Sequence, residues 1–235
     1  MGVRIGTAGW SIPTALAGDF PDEGSHLERY ARMFSAVEIN SSFHRPHRRT
    51  TYERWATSVP ADFRFSVKIP KTISHTARLI HVDELLAAFL KEVGGLGGKL
   101  DVLLLQLPPS FPYDPHVAAA FFARLRDTAH IACEPRHASW FTEDADACMA
   151  DHKVARVVAD PVVVPGGGEH AGGWTGLHYH RLHGSPRVYY SPYETPRLEA
   201  LTDTIDDHAW IIFDNTGSGA ATGNALTLRD LVARR

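Results

Sequence analysis

The residues best suited to chemistry sit near the ends of short apolar runs. "YHRLHG", Tyr179 to Gly184, reads as a strand, yet it carries Arg181 and His183. Glu38 and Asn40 close "VEIN", Lys68 closes "FRFSVK", Gln106 closes "LLLQ", Glu134 and Arg136 close "CEPR", and Asp214 and Asn215 follow "IIF". Strand side chains alternate between two faces. Glu38 and Asn40, Glu134 and Arg136, and Arg181 and His183 therefore share one face of their runs with Lys68, Gln106 and Asp214 of theirs, opposite apolar sets such as Val37 and Ile39, or Phe65, Val67 and Ile69, and Asn215 would join from the loop beyond. Lys68, Arg136 and Arg181 are the cations that would meet a phosphate or carboxylate, arginine by a planar two-bond fork and lysine as a point charge. Glu134 and His183 are the candidate acid–base pair. A desolvated carboxyl titrates higher, adjacent cations oppose that, and histidine shuttles protons near neutrality. Trp10 and Trp140 are candidates to stack a sugar or base, with His75 joining from a loop.

These residues need elements that bring strand ends together. Eight apolar runs read as strands: Val3–Ala8, Ala36–Asn40, Phe63–Ile69, Asp101–Leu107, Ile131–Arg136, Ala155–Asp160, Leu177–His183 and Trp210–Asp214. Amphipathic stretches such as "VDELLAAFLKEV" and "PHVAAAFFARLRD" alternate with them. The expectation is an α/β fold, a (β/α)₈ TIM-type barrel formed by residues 1–235 as one domain. Its sites belong at the C-terminal strand ends, where the charged members crowd. After strand six, "PVVVPGGGEHAGGWTG" opposes a regular helix. "GGLGGKL" lacks the spacing of a phosphate-binding loop and reads as a helix end and turn.

The chain has 235 residues, 44% of them hydrophobic and 22% charged, which suffices for one large core. A net charge of -3 gives no global field for nucleic acid, so an anion site must be local. The basic run "HRPHRR", His44 to Arg49, is expected on the same rim, as a solvated loop before a polyanion site. Cys133 and Cys148 form no C-x-x-C pair, which fits reduced core thiols and a cytoplasmic location. The N-terminus reads as a first strand and not a signal peptide, and no apolar run reaches the length of a membrane span.

The same residues carry a family resemblance. "GTAGWS", "VEINSSFHR", "FRFSVKIPKTISH", "LLLQLPPSF", "EPRHASW", "YHRLHG" and "FDN" occur in order over nearly the whole chain. This resembles the domain of unknown function 72 family, also called YecE-like. The resemblance implies a TIM-type barrel and supplies no reaction. It places Trp10, Glu38, Asn40, Lys68, His75, Gln106, Glu134, Arg136, Trp140, Arg181, His183, Gly184 and Asn215 on the family's motif positions. The chain departs from the pattern at Ala8 and Ile12, where serine and tyrosine are usual. It departs again at His44 (usually tyrosine), Pro135 (usually aromatic or aliphatic) and Asp214 (usually asparagine). Proline lacks a ladder donor, so strand five is expected to end or bulge at Pro135.

The functional expectation is an enzyme, a hydrolase or lyase, acting on a small anionic, phosphorylated or nucleic-acid-like substrate. Glu134 and His183 would be catalytic. Trp10, Glu38, Asn40, Lys68, His75, Gln106, Arg136, Trp140, Arg181 and Asn215 would bind substrate. One alternative is a non-catalytic protein that binds an anionic ligand or nucleic acid. Another is a divalent-metal-dependent phosphodiesterase, although no H-E-x-x-H or H-x-H signature is present and no metal ligand is assigned. The cofactor and the oligomeric state are left open. A third outcome is a self-satisfied salt-bridge network plugging the barrel mouth.

Overall fold

The computed structural model describes residues 2–165 and 167–235. In chain order the strands are β1 (Arg4–Thr7), β2 (Ala36–Ile39), β3 (Arg64–Lys68), β4 (Leu100–Gln106), β5 (His130–Glu134), β6 (Val154–Arg156), β7 (Val158–Asp160), β8 (Gly172–Gly173), β9 (His178–Leu182) and β10 (Ala209–Phe213). The helices are α1 (His26–Ala31), α2 (Arg49–Thr57), α3 (Asp83–Val93), α4 (Pro115–Leu125), α5 (Glu143–Asp151), α6 (Thr195–Thr202) and α7 (Ala220–Val232).

Local chemistry starts several helices. Ser25 and Glu28 form a reciprocal capping box at α1. The Asp114 side chain accepts from the His116 and Val117 amides ahead of Pro115 at α4. Asp83 and Glu84 fill the first turn of α3, where the helix dipole favours negative charge. On that helix Leu86, Phe89 and Val93 lie on one buried face, as their three- and four-residue spacing requires.

The parallel strands pair in two runs, β1–β10–β9–β7 and β2–β3–β4–β5–β6, with β8 antiparallel on the edge of β6. Two junctions complete the circuit. An isolated bridge joins Ala8 to Glu38, and the Gly9 amide donates to the Glu38 carbonyl at 2.8 Å. On the other side β6 pairs with β5 and β7 pairs with β9, separated only by Val157, whose amide donates to the Cys133 carbonyl at 2.8 Å. The fold is thus the expected TIM-type barrel of eight staves, with stave six broken at Val157 as it passes from one neighbour to the other. Among the described residues no helix lies between Asp160 and His178. That connection instead makes β8 and places Trp174 against the barrel interior. Strand five stops at Glu134, short of the expected Arg136, because Pro135 cannot donate to the ladder.

The alternation divides two cores. Facing the helices are Val37, Ile39, Phe65, Val67, Ile69, Leu103, Leu105, Leu107, Ile131 and Cys133. Inside the barrel lie Ala36, Val102, Leu104, Ala132, Ala155, Val157, Leu177, Tyr179, Trp210 and Ile212. Tyr179 and Trp210 stack at 5.9 Å there. Cys133 and Cys148 are free thiols. Among the described residues no helix is long and apolar enough to cross a membrane.

Candidate functional site

Two residues beyond the interior apolar layer, the same strand faces turn polar. Ala36 gives way to Glu38, Leu104 to Gln106, Ala132 to Glu134, Tyr179 to Arg181 and then His183, and Ile212 to Asp214. The register sets Gln106 beside Glu134 and Arg181 beside Ile212, so these side chains converge at the C-terminal mouth.

Arg181 is the hub. It is fully buried and donates to three carboxylates. Nε and Nη2 clasp Glu38 at 3.0 and 2.8 Å, Nη1 reaches Glu134 Oε2 at 2.6 Å, and Nη2 also reaches Asp214 Oδ2 at 2.9 Å. The Tyr179 hydroxyl, from the layer below, donates within 3.0 Å of Glu38 Oε2 and lies 2.8 Å from Ser66 Oγ. Glu134 Oε1 accepts from Gln106 Nε2 at 2.8 Å and from Arg136 Nε and Nη2 at 3.1 and 2.9 Å. Burial alone would push the Glu134 carboxyl up. The guanidiniums of Arg181 and Arg136 and the neighbouring His183 outweigh burial and hold it well below the usual range. Glu134 therefore stays ionised with both oxygens engaged. The raised carboxyl weighed for an acid–base role is absent, and Glu134 acts as a fixed anion.

His183 is differently placed. Nδ1 lies 3.1 Å from Asp214 Oδ2, and Nε2 is buried, 3.5 Å from Glu134 Oε1, without a hydrogen-bond partner among the described residues. Burial lowers its affinity for a proton, but the flanking carboxylates of Asp214 and Glu134 overcome this and the imidazole titrates above its ordinary value. Asp214, the departure from the family pattern, thus supplies a partner for both Arg181 and His183. Lys68 enters from β3, with Nζ over the Phe43 ring at 4.2 Å. Burial first, and Arg181 second, lower its ammonium to about 8 against the pull of Glu38, Glu134 and Asp214.

The remaining predicted residues divide. Arg136 retains solvent contact at the rim, and the loop residue Tyr189 lies edge-on to His183 at 5.8 Å. His75 sits in a π-helical turn, Thr72–Thr76, edge-on to Phe43 at 5.0 Å. Burial, then Lys68 and Arg136, lower its proton affinity. Such a turn is a frequent feature of functional sites. Trp10 packs edge-on against Trp55 at 5.0 Å and, with Asn40, lines an adjoining cavity of about 320 Å³. Asn40 Oδ1 is buried and unpartnered among the described residues.

Three expectations need correction. Arg181 is wholly engaged by protein carboxylates and presents nothing to a ligand. Trp140 is sealed in the core beside Tyr113, Phe111 and Phe122, its indole N–H donating to the Phe111 carbonyl at 2.9 Å. No face remains for stacking. Asn215 is fully buried and donates to the Ser191 carbonyl and Asn224 Oδ1 at 3.0 and 2.9 Å. It pins the loop after β9. Gly184 opens that loop at φ 93°, where a Cβ would lie 2.7 Å from the Ser191 carbonyl oxygen.

Phe43, Tyr179 and Tyr189 also adjoin the site, beyond the residues assigned to it from the sequence. Tyr179 was legible, since it shares the face of Arg181 and His183. Phe43 and Tyr189 lie in a turn and a loop, where alternation says nothing. The run His44–Arg49 is largely exposed, and Arg49 pairs with Glu53 at 2.9 Å. Among the described residues no group of three or more His, Cys, Asp or Glu side chains is placed to hold a metal ion. The three mouth carboxylates instead surround a guanidinium.

A TIM-type barrel whose C-terminal mouth holds a buried arginine among three carboxylates, with a lysine and a histidine beside it, defines the class. The model of the family described as "Protein of unknown function DUF72" matches residues 4–235, and the chain belongs to that family. The curated UPF0759 protein YecE of Escherichia coli K12 is 32% identical over 142 residues, covering 60% of this chain and 51% of that protein. The match thus spans about half the length of the curated relative. Among solved structures, a DUF72 family protein from Thermotoga maritima MSB8 shares 22% identity with a TM-score of 0.78, covering 99% of this chain and all (100%) of that one. A DUF72 family protein from Enterococcus faecalis V583 shares 21% identity with a TM-score of 0.78, covering 98% and 95%. These likenesses speak for the fold.

Proposed function

We propose that the barrel mouth is the active site of a hydrolase or lyase that takes a small phosphorylated or nucleic-acid-like substrate. The observation that carries this reading is His183. Its buried Nε2 makes no hydrogen bond among the described residues and only faces Glu134 Oε1 at 3.5 Å, while Nδ1 is held by Asp214 at 3.1 Å. A fixed imidazole with one nitrogen outside any hydrogen bond is arranged to give or take a proton at a bound molecule. The charge balance favours an anion. When His183 is protonated, Lys68, Arg136, Arg181 and His183 face Glu38, Glu134 and Asp214, leaving one positive charge unbalanced. Arg136 and Lys68 are the cations placed to meet it, and Trp10 and Tyr189 offer apolar surface at the rim.

The non-catalytic reading draws its support from the hub itself, because buried ion-pair networks also serve structure alone. The metal-dependent alternative is less favoured by the donor set, since a cation would have to displace Arg181 from carboxylates it already neutralises. The test is calorimetric binding of a panel of sugar phosphates and short oligonucleotides, with turnover followed by phosphorus NMR. We expect Arg136→Ala to weaken binding at least tenfold. We expect His183→Asn to weaken binding less than Arg136→Ala does, through the lost charge, while turnover falls roughly 10²–10⁴-fold, the usual contribution of a general acid–base group. Binding that ignores Arg136 would sink the anion site. Binding without turnover in the unaltered protein would establish the non-catalytic reading instead.

A further inference from the structure

Among the described residues Lys68 is the one mouth cation that the network does not hold. Arg181 engages Glu38, Glu134 and Asp214, and Arg136 engages Glu134. Among the described residues Lys68 makes no ion pair. Its Nζ rests on the Phe43 ring, and only 5% of the residue is exposed. Burial and the neighbouring Arg181 favour the neutral amine over the ammonium that the Phe43 face would attract, and a lysine desolvated beside another cation is the arrangement that yields a nucleophile. In the same mouth His183 Nε2 is buried and makes no hydrogen bond among the described residues.

We propose that Lys68 is a catalytic nucleophile that forms an imine with the carbonyl carbon of a small aldehyde or ketone, with His183 relaying the protons. This deepens the reading of the mouth as an active site and rests on it, selecting lyase chemistry over hydrolysis. The lone pair of neutral Nζ adds to the carbonyl carbon, and the oxygen takes a proton to give a carbinolamine. Nitrogen then yields a proton, the hydroxyl takes one, and water leaves with the C–O electron pair as the C=N bond forms. In a substrate with a hydroxyl on the β carbon, that hydroxyl gives its proton to neutral His183 and its O–H electron pair forms a C=O, so the Cα–Cβ bond breaks, its electron pair passes to the protonated imine as an enamine, and the β fragment leaves as a second carbonyl compound. The resulting enamine is protonated at carbon, and water releases the product and restores the amine. The titration of Lys68 at about 8 agrees, since it leaves an appreciable neutral fraction near neutrality.

The test incubates the full chain with glyceraldehyde 3-phosphate or with glyceraldehyde, reduces any imine with cyanoborohydride, and maps the secondary amine by peptide mass spectrometry. Lys71, Lys91 and Lys153 are exposed and serve as internal controls. We expect Lys68 to label at least tenfold faster than these three, with a rate that rises to a plateau above about pH 8. We expect Lys68→Arg to remove that label alone, and His183→Asn to slow it at least tenfold while the control lysines are unchanged. Labelling of Lys68 no faster than the controls overturns the proposal, and the unaltered protein alone decides this. An unchanged rate in His183→Asn overturns the proton relay. Failure to label while glyceraldehyde 3-phosphate still binds by calorimetry sinks the imine and leaves the anion site standing. Equal labelling by the two aldehydes keeps the lysine and removes the phosphate from the reading.

Discussion

The lower layer of the barrel interior is filled by Ala36, Val102, Leu104, Ala132, Leu177, Trp210 and Ile212, whereas the upper layer on the same strand faces holds Glu38, Gln106, Glu134, Arg181, His183 and Asp214. Both layers are almost completely dry. Below, dispersion and water exclusion suffice, and the residues need only fill volume. Above, each charge carries a desolvation cost that only a partner offsets. Tyr179 joins the layers, its ring stacked on Trp210 and its hydroxyl on Glu38. The difference teaches where function can sit. A layer that tolerates repacking gives no chemistry, and in the charged layer the informative groups are those left without a protein partner.

The comparison is broken most directly at Arg181. Arg181→Met takes the shared buried cation from three carboxylates, leaving Glu38 only the Tyr179 hydroxyl, Asp214 only His183 and Glu134 the partly exposed Arg136 with Gln106, and is expected to destabilise by about 3–5 kcal/mol in urea unfolding at pH 7, as for loss of one member of a buried ion pair. Trp210→Ala, in the lower layer, is expected to cost a similar ~3–5 kcal/mol by leaving a cavity. The two separate in acid. Below about pH 4 the carboxyls left without Arg181 take up protons and the deficit of Arg181→Met shrinks, whereas the Trp210→Ala deficit persists. Equal deficits at both pH values would mean the upper layer is held by packing and not by charge.

A smaller effect of opposite sign is expected at Lys68. Its ammonium is lowered to about 8 from an ordinary 10.5, so the folded state disfavours the charged form. Stability should rise with pH between those two values, because the unfolded chain binds the proton more readily there. At pH 7 Lys68→Met should remove that penalty and stabilise by up to roughly 2–3 kcal/mol, at about 1.4 kcal/mol per pH unit of displacement. Destabilisation by this variant would show that Lys68 is a needed member of the network.

Next comes His183, whose imidazole is raised by Asp214 and Glu134 against burial. A raised base contributes stability that is fully present below its unfolded value, near 6.5, and lost as pH rises through the folded value. His183→Asn should therefore flatten the stability–pH profile over that window, measured by thermal melts at fixed ionic strength. An unaltered profile would leave the imidazole uncoupled from its carboxylates.

The layers themselves were legible in the sequence. Alternation alone separated Val37 and Ile39 from Glu38, and Phe65 and Val67 from Ser66 and Lys68, since one face of each strand must meet the helices. It also contained a warning about Asn215, which follows inward-facing Asp214 and so points away from the mouth. What alternation cannot give is distance. It placed Arg181 and three carboxylates in one mouth without showing that they would find one another before any ligand did. Trp140 was misplaced for a related reason. It lies in the short turn Ala138–Trp140 after β5, where no two-residue rule applies, and that turn folds the indole under Phe111. The break of stave six at Val157 left no mark on its apolar run, because residues on either side pair in the same direction with different neighbours.

The smallest expected effect sharpens the comparison most, because geometry is held nearly constant. Arg197 Nη2 lies 2.5 Å from Asp160 Oδ2, as close as Arg181 Nη1 lies to Glu134 Oε2 at 2.6 Å. Yet the Arg197 side chain is 63% exposed and that of Arg181 is 0% exposed. Water screens the outer pair and rehydrates either partner when the other is removed, so Arg197→Ala is expected to cost only about 0.2–1 kcal/mol and less at high salt. Asp160 keeps the Tyr193 hydroxyl, 3.1 Å from Oδ1, and is not stranded by the change. Chemical unfolding of Arg197→Ala and Arg181→Met in low and high salt reads the contrast directly. A loss at Arg197 comparable to that at Arg181 would mean contact distance, and not burial, sets the strength of these pairs.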